Sequence, residues 1–479
     1  MPEHDTPNKT TTEDTDIQSS LYATREKIRP RQVHGMFAFL RTSAVFVLLG
    51  LYYFVPWLSW DGRQAVLLDL PARKFYLFGI TLWPQDFIYL ALLLIIAALT
   101  LFLFTALAGR LWCGYACPQT VWTEVFLWIE RQVEGDRPKQ MKLDKAPWST
   151  HKITVKAIKH SLWLLFATYT GITFVGYFSP IDELVLNIIN LSLGPWETFW
   201  IVFYSFATWG NAGFLREQVC IYMCPYARFQ SAMFDENTMI ISYDDKRGDP
   251  RGSRPRNTQR RSEEPKDKVL GDCINCTLCV QVCPTGIDIR DGLQYQCIGC
   301  AACIDVCDEV MEKMDYDKGL IKYTTLNALE GKAVKLFRPQ IIIYALIIVA
   351  IATGLVVSLL LRAPLELDII RDRNSLFRTT NEGLIENVYS LKVLNMDTTE
   401  HDYTLTVSGI PEMSVRMDNN DIHVPAGVAS DVVVRLQVDP YDLKKQSSTV
   451  IFNLQAIDDA SLSVSEEARF LGPMGAGTR

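Results

Sequence analysis

The sequence predicts a multi-domain membrane protein in which an α-helical transmembrane bundle of about five helices carries an inserted cysteine-rich domain and a C-terminal all-β domain. Three observations predict this fold class. First, 49% of the 479 residues are hydrophobic and the mean hydropathy is +0.09, which is high for a soluble protein. Second, all twelve cysteines lie in the middle of the chain, from Cys113 to Cys307. Third, apolar and polar residues alternate along the last third of the chain, which is typical of β-strands.

The charge and the cysteine distribution exclude two classes of protein. A net charge of -7 argues against a nucleic-acid partner, because phosphate binding needs a basic face. A secreted disulfide scaffold would not confine its cysteines to the middle of the chain. The N-terminal segment lacks the basic start and apolar core of a signal peptide, so we expect residues 1–35 to be a cytoplasmic tail without a cleaved signal.

Five apolar stretches are long enough to cross about 30 Å of hydrocarbon. They are residues 36–58, 87–107, 161–178, 198–215 and 340–361. The first four form a predicted four-helix membrane domain over residues 36–240, and the last is a fifth transmembrane helix. Residues 184–193 are too short to cross, and we interpret them as a surface or re-entrant segment. If they formed part of a span, the parity of the crossings would change.

Lysines and arginines predict the side of the membrane on which each loop lies, because cytoplasmic loops are rich in these residues. They are frequent before the first stretch and between the second and third, whereas residues 179–197 contain none. We therefore expect residues 108–160 and 216–339 to be cytoplasmic, with a linker and the cysteine-rich domain over residues 241–339. After a fifth crossing, residues 362–479 would lie in the periplasm.

The strongest chemical signal is a pair of cysteine runs, CINCTLCVQVCP and CIGCAACIDVC. Two C-x2-C-x2-C-x3-C runs are typical of a bacterial ferredoxin with two [4Fe-4S] clusters, in which the fourth cysteine of each run ligates the other cluster. One cluster would use Cys273, Cys276, Cys279 and Cys307, and the other Cys283, Cys297, Cys300 and Cys303. Zinc is the alternative, but a zinc site takes four ligands and these runs offer eight. Asp308, in place of the usual proline, follows Cys307.

A second signal is a repeated CxxxCP motif. LWCGYACPQ contains Cys113 and Cys117, and VCIYMCPYA contains Cys220 and Cys224. An i, i+4 spacing would place each pair of thiols on one helical face. The proline after each motif suits the first turn of a new helix, whose positive end favours a thiolate. Soft thiolates suit Cu(I), so these four cysteines are candidate catalytic residues and copper ligands. The alternative is that they are small buried apolar residues.

Residues 246–268 are rich in proline, glycine and charge, which predicts a mobile linker near anionic lipid. A docking site for an electron donor is the alternative. Further along the chain, four segments alternate apolar and polar residues and predict a β-sandwich; they are residues 389–396, 402–410, 430–440 and 448–457. The sandwich contains His401 and His423 but no cysteine, and we expect no cofactor in it. No histidine lies in the middle of a predicted span, so haem b is not expected either.

These motifs together resemble the FixG/CcoG (RdxA) family of accessory proteins of cbb3-type cytochrome c oxidase. The resemblance covers nearly the full chain: two CxxxCP motifs, the tandem ferredoxin runs, a late transmembrane helix and a C-terminal domain. It implies an immunoglobulin-like fold for residues 362–479 and a location in the bacterial cytoplasmic membrane. It also implies reduction of Cu(II) to Cu(I) for the oxidase. The partners would be the lipid bilayer, a cytoplasmic electron donor or quinol, copper ions or copper chaperones, and oxidase assembly factors.

Two alternative functions remain at this point. One is a quinol-oxidising membrane ferredoxin that feeds a periplasmic reductase, although a cysteine-free immunoglobulin-like domain disfavours it. The other is a non-enzymatic scaffold for oxidase assembly, in which the clusters are only structural. Reoxidation of reduced clusters by Cu(II) would separate an enzyme from a scaffold.

Overall fold

A computed structural model describes residues 27–253, 270–335, 337–362, 364–397, 399–417, 422–443 and 445–473. The chain divides into two compact units. The first unit comprises residues 1–79 and 84–350, and the second comprises residues 80–83 and 351–479. Each unit is therefore described by itself.

The first unit is mainly helical. Its helices before the cysteine-rich domain are α1 (Met36–Phe54), α2 (Phe87–Ala108), α3 (Leu111–Tyr115), α4 (Pro118–Glu134), α5 (Arg137–Lys145), α6 (Thr150–Val175), α7 (Ile181–Ile189), α8 (Pro195–Thr208) and α9 (Pro225–Ala232). Two π-helical segments, Trp209–Leu215 and Val219–Met223, lie between α8 and α9. Between α1 and α2 the chain forms two antiparallel strand pairs, to which the sequence analysis assigned no structure. They are β1 (Ser59–Trp60) with β2 (Arg63–Gln64), and β3 (Val66–Asp69) with β4 (Lys74–Leu77).

Among the described residues, three helices are long and apolar enough to cross a membrane: Met36–Trp57, Pro84–Ala108 and Pro339–Leu360. They coincide with the first, second and fifth predicted stretches. The third stretch falls in α6, whose first turns carry several lysines, and the fourth falls in α8 and the π-helical segment after it. The count of five spans therefore stays a prediction.

The segment expected at the membrane surface forms α7. This helix has nine residues, too few to span a bilayer. Its Ile181 and Leu184 are buried against Val175 of α6 and Ile201 of α8. The rest of the helix is largely exposed, as its amphipathic sequence requires.

The cysteine-rich domain is closed by two antiparallel strands, β6 (Ile240–Tyr243) and β7 (Ile321–Thr324), in the register Ile241↔Tyr323. Between them lie α10 (Asp245–Gly248), α11 (Leu278–Val282) and α12 (Ala302–Lys313). Buried Met311 and Leu320 belong to the apolar cluster that joins these elements. Helix α13 (Leu326–Leu329) follows β7, and α14 (Pro339–Leu360) runs across the division between the units.

The predicted linker is only partly described. Its first residues belong to α10, where the Asp244 side chain accepts a hydrogen bond from the Arg247 backbone N–H and caps the helix. The prediction of a linker beginning at residue 246 is therefore wrong for these residues. Residues 254–268 of the predicted linker lie outside the described residues.

The second unit is a β-sandwich, which confirms the all-β prediction. Its strands are β8 (Leu365–Arg371), β9 (Arg378–Thr379), β10 (Ile385–Asn395), β11 (His401–Ser408), β12 (Ser414–Met417), β13 (Ile422–Val424), β14 (Ala429–Val438), β15 (Ser447–Ala456) and β16 (Ser463–Leu471). One sheet has the order β12-β14-β10-β8, with β9 also paired to β10, and the other has the order β13-β11-β15-β16. The short strand β5 (Ile80–Leu82) is also part of this unit but belongs to neither sheet. The four predicted segments correspond to β10, β11, β14 and β15. Alternate side chains such as Tyr389, Leu391 and Phe452 are fully buried between the sheets, as period-two patterning requires.

Candidate electron-transfer site

The eight cysteines of the tandem runs lie around two neighbouring cavities. Cys273, Cys276, Cys279 and Cys307 line the first cavity. Cys283, Cys297, Cys300 and Cys303 line the second, which Cys279 also borders. The fold thus brings together the two sets that the crossed ferredoxin pattern predicts.

The two runs share one backbone conformation. Asn275 and Thr277 in the first loop have φ of 56° and 58°, and Gly299 and Ala301 occupy the matching positions of the second loop with φ of 69° and 60°. Left-handed residues are rare outside glycine, and three of these four are not glycine, so their matched positions indicate that both loops curl in the same way. Each loop then leads into a short helix that carries its third cysteine.

The residues around the two cavities fit [4Fe-4S] clusters. Each cavity offers four sulfur donors, and apolar side chains such as Val310, Leu320 and Ile289 complete the walls. Within the described ranges, no three His, Cys, Asp or Glu side chains converge closely enough to hold a single metal ion. A zinc ion would draw its sulfur ligands to about 2.3 Å from one centre, whereas a cluster keeps them spread around a larger body.

Burial governs the protonation of these thiols. It raises the pKa of Cys279 to about 11 and the pKa of Cys297 and Cys307 to about 12. The pKa of Cys303 is raised well above its ordinary value for the same reason. Ligation needs thiolates, so iron must displace these protons, and the positive charge of iron supplies the stabilisation that burial removes.

A new helix begins at the proline of each CxxxCP motif, as predicted. The residues from the first cysteine to the second do not form one continuous α-helix in either motif. Helix α4 begins at Pro118 and α9 at Pro225, with Cys117 and Cys224 as the extended N-cap residues. Because α3 ends at Tyr115, the two thiols of the first motif do not lie on one helical face. In the second motif a π-helical segment ends at Met223, one residue before the second cysteine. The prediction of a shared helical face is therefore wrong for both motifs.

The four CxxxCP thiols nevertheless lie near one another. Burial raises the pKa of Cys113 to about 12, and the neighbouring Cys117, Cys220 and Cys224 raise it further. Burial likewise raises the pKa of Cys117, although backbone N–H groups of the following helix lower it. The N-terminus of α4 thus favours a thiolate at Cys117, as expected, but burial outweighs it and the net pKa is raised.

A direct backbone contact joins the first CxxxCP motif to the second cluster loop. A Cβ atom on Gly114 would lie 2.8 Å from the carbonyl oxygen of Gly299, and a Cβ on Gly299 would lie 2.9 Å from the carbonyl oxygen of Arg110. The Tyr323 hydroxyl donates a hydrogen bond of 2.6 Å to the same Gly299 oxygen. Only glycine at positions 114 and 299 permits this approach. The sequence analysis missed both residues, whose role arises between distant segments.

Asp305 ties the cysteine-rich domain to the start of α1. Its carboxylate accepts hydrogen bonds from the backbone N–H of Phe37 at 3.1 Å and of Ala38 at 2.7 Å. A side chain on Gly35 would collide with this carboxylate. Arg41, one turn further along α1, donates a hydrogen bond to the carbonyl oxygen of Cys300. The first candidate membrane helix is thus anchored on the residues that surround the clusters.

A buried charge network links α4 to α6. Glu130, only 1% exposed, accepts from Arg216 at 2.6 Å, Lys27 at 2.8 Å and Lys159 at 3.4 Å. Burial would raise the pKa of Glu130, but these three cations hold it at about 2. Lys159 also contacts Glu134 at 2.7 Å, so the network satisfies charges that could not otherwise be buried.

Comparisons with known proteins agree with this arrangement. A family described as 4Fe-4S dicluster domain matches residues 215–326, and one described as 4Fe-4S binding domain matches residues 90–134. A third, described as an Ig-like fold at the C-terminal of FixG, matches residues 355–473. Fold and site therefore define the class of protein: an iron-sulfur redox protein with candidate membrane helices and an immunoglobulin-like domain.

Full-length relatives define the family. The chain is 38% identical to the nitrogen fixation protein FixG of Rhizobium meliloti, covering 88% of this chain and 87% of the relative. It is 40% identical to protein RdxB of Cereibacter sphaeroides (87% and 89% covered) and 41% identical to protein RdxA of the same organism (88% and 90%). The chain belongs to the FixG/RdxA/RdxB family, which confirms the resemblance seen in the sequence.

One solved structure is similar to part of the chain. It is the crystal structure of a FixG-related protein from Vibrio parahaemolyticus, 32% identical, which covers 23% of this chain and 98% of that chain with a TM-score of 0.22.

Proposed function

We propose that the chain is a membrane-bound cupric reductase that supplies Cu(I) for assembly of a cbb3-type cytochrome c oxidase. In this proposal each of the two cavities holds one [4Fe-4S] cluster, which is ligated by the cysteines that line it. When bound, the clusters supply one-electron transfer to copper at the CxxxCP thiols. The proposal includes a bacterial cytoplasmic-membrane location, a cytoplasmic cluster domain and a periplasmic sandwich.

The contact between Gly114 and Gly299 supports this proposal most. Gly114 is next to Cys113, and Gly299 is next to Cys300, so the two proposed redox sites meet through backbone atoms. Arg110 lies in the same contact, and its side chain donates a hydrogen bond of 2.8 Å to the Ala227 carbonyl oxygen beyond the second motif. Both CxxxCP segments are therefore fixed beside the second cluster loop.

The chemistry of the four thiols favours reduction of copper. Soft sulfur ligands bind Cu(I) better than Cu(II), so ligation by a pair of thiols among Cys113, Cys117, Cys220 and Cys224 would stabilise the reduced product. Because burial raises the pKa of Cys113 and Cys117, these thiols are protonated at neutral pH. Copper binding therefore releases protons, and the site binds copper more tightly as the pH rises.

The test replaces Cys117 and Cys224 with serine in one double variant. The eight cysteines around the cavities are a separate set, so we expect wild-type iron content, which is about eight iron atoms per chain for two clusters. Reoxidation of dithionite-reduced clusters by Cu(II), followed anaerobically by stopped-flow absorbance, should slow by roughly tenfold or more, since two soft ligands are lost.

The matched control is Trp112→Phe, an exposed neighbour of Cys113 that offers no sulfur ligand. This variant should reoxidise at the wild-type rate. Unchanged kinetics in the double variant would contradict a copper-reducing role for the CxxxCP cysteines. Parallel loss of iron and of activity would mean that these cysteines support folding instead.

A further inference from the structure

A cavity of about 450 Å³ lies within the first unit, between the start of α1, one face of α4 and the second cluster loop. Its volume is within the range of roughly 300–1,000 Å³ that is typical of small-molecule sites. Most of its wall is apolar and includes Phe39, Leu127, Trp128 and Ile298. The same wall also contains charged side chains, namely Arg31, Arg41, Glu124, Arg131, Arg216 and Glu217. The cavity therefore suits a ligand with an apolar body and polar edges.

Two redox-relevant residues form part of the wall. Cys300 belongs to the second cluster site, and Cys220 belongs to the second CxxxCP motif. Pro284, which follows Cys283, also lines the cavity. A ligand in this cavity would be in contact with residues of the second cluster loop, so electrons would have a short path between ligand and cluster.

A buried arginine in the cavity wall has an unused hydrogen-bond donor. Arg216 lines the cavity and is only 5% exposed. Its Nε donates to the Gly213 carbonyl oxygen at 2.9 Å and its Nη2 donates to Glu130 at 2.6 Å, which fixes the guanidinium in place. Its Nη1 is buried without a hydrogen-bond partner. A buried donor in this state is costly, and a ligand oxygen would satisfy it.

A carboxylate provides a route for protons. Glu124 lines the cavity and accepts a hydrogen bond of 3.1 Å from Arg131. Its side chain is 36% exposed, so it contacts both the cavity and water. It can accept a proton from a ligand hydroxyl and release it to solvent.

Part of the cavity wall belongs to a candidate membrane helix. Phe39 and Thr42, which line it, lie in the first two turns of α1, and α1 belongs to the span Met36–Trp57. A ligand that reaches the cavity along this helix must be soluble in lipid. Apolar walls, a donor for an oxygen atom and a proton-accepting carboxylate together match a hydroquinone ring.

We propose that this cavity binds a membrane quinol and oxidises it. The hydroquinone loses two electrons and two protons and leaves as the quinone. The protons would pass to the Glu124 carboxylate and then to water, and clusters held by the cysteines of the two cavities would accept the two electrons, one each. With copper as the final acceptor, one quinol and two Cu(II) yield one quinone, two Cu(I) and two protons. The inference deepens the proposed function by naming the electron donor, and it rests on that function for the fate of the electrons.

The first test measures binding without turnover. An azido-labelled short-chain quinone is photolysed with the purified full-length protein, and the labelled peptides are mapped by mass spectrometry. We expect labels on residues 31–42 and 119–131 in the wild type, with loss of labelling when excess decylubiquinone competes. Thr123→Phe fills the cavity from α4 and should abolish the labelling, whereas Gln132→Phe, on an exposed position of the same helix, should not.

The second test measures electron exchange. Oxidised protein is mixed anaerobically with decylubiquinol, and reduction of the clusters is followed by absorbance. Thr123→Phe should slow this reaction by roughly tenfold or more, because the ring is displaced from its productive position. Glu124→Gln should retain photolabelling but slow the reaction, because proton transfer to and from the ring is lost. Iron content reports whether each variant has folded.

The outcomes separate this inference from the proposed function. If Thr123→Phe blocks reduction by the quinol but not reoxidation by Cu(II), the quinol site is supported. Labelling outside the cavity, or unchanged reduction by the quinol in folded Thr123→Phe, would overturn it. A third outcome is that the wild-type clusters exchange electrons with the quinol but are not reoxidised by Cu(II). That result would reject the cupric reductase and would still support the quinol site.

Discussion

Removing the Asp305 side chain should weaken the attachment of α1 to the cluster domain. Its buried carboxylate accepts two backbone N–H groups at the first turn of α1, where the helix dipole favours a negative charge. Asp305→Ala should lower the free energy of unfolding by about 1–2 kcal/mol, since a cap and charged hydrogen bonds are lost. The midpoint of thermal unfolding in detergent, followed by circular dichroism and cluster absorbance, measures the effect.

Glu309 supplies a matched control on the same helix. Its side chain is 52% exposed and pairs with the exposed Lys313, so Glu309→Ala should change stability by less than about 0.5 kcal/mol. Equal midpoints for the Asp305 and Glu309 variants would show that the cap contributes nothing to the attachment of α1.

At the scale of elements, the ion network between α4 and α6 should make the helical bundle sensitive to acid. The cations around Glu130 hold its pKa at about 2, below its usual 4.5. A group whose pKa is lowered by folding stabilises the folded state above the unfolded pKa, and this contribution is lost as the pH falls towards the folded pKa. The contribution of Glu130 should therefore be complete near neutral pH and disappear between pH 4.5 and about 2.

Glu130→Gln tests this prediction. The variant leaves Arg216 without its buried counter-charge and Lys159 with Glu134 alone, so it should be less stable than the wild type by roughly 3–5 kcal/mol at neutral pH. Helix content measured across a pH series should show the difference from the wild type shrinking below pH 4.5. Glu183→Gln, at an exposed position of α7, should follow the wild type at every pH. If the difference in helix content between Glu130→Gln and the wild type stayed constant with pH, the predicted link between Glu130 protonation and stability would be contradicted.

For the whole molecule, the basic-residue distribution predicts which part is accessible from each side of the membrane. Protease added to spheroplasts should remove the sandwich beyond about residue 362 and leave the cluster domain protected. Inverted vesicles should give the opposite result, with cleavage in residues 246–268. The fragments are identified by mass spectrometry. Cleavage in residues 246–268 of intact spheroplasts would show that the orientation is inverted.

The sequence predicted those parts of the molecule that depend on local patterns. Period-two alternation located β10, β11, β14 and β15, because each strand needs one buried face. Cysteine spacing predicted the two sets of four around the cavities, since the crossed arrangement is built into the repeat. The starts of α4 and α9 followed from prolines whose fixed φ suits the first helical turn.

The parts that sequence reasoning missed depend on contacts between distant segments. Spacing alone could not show that α3 ends before Cys117, nor that burial would outweigh the helix N-terminus there. Gly114 acquires its role only when Gly299 is placed against it. The pairing of Glu130 with Arg216 joins residues far apart in the chain, and charges spread along a sequence give no indication of their partners.

The division of the cysteines between the two cavities constrains how the protein is made. Helix α11 begins just before Cys279 of one set and ends just before Cys283 of the other, and Cys307 on α12 completes the first set. A nascent chain that ends before Cys297 holds three thiols for one cavity and a single thiol for the other. The set of four for the second cavity is therefore incomplete until Cys303 has left the ribosome, and the set for the first cavity until Cys307 has followed. Cluster insertion is then a late step, and nascent chains that end before Cys303 should contain neither cluster.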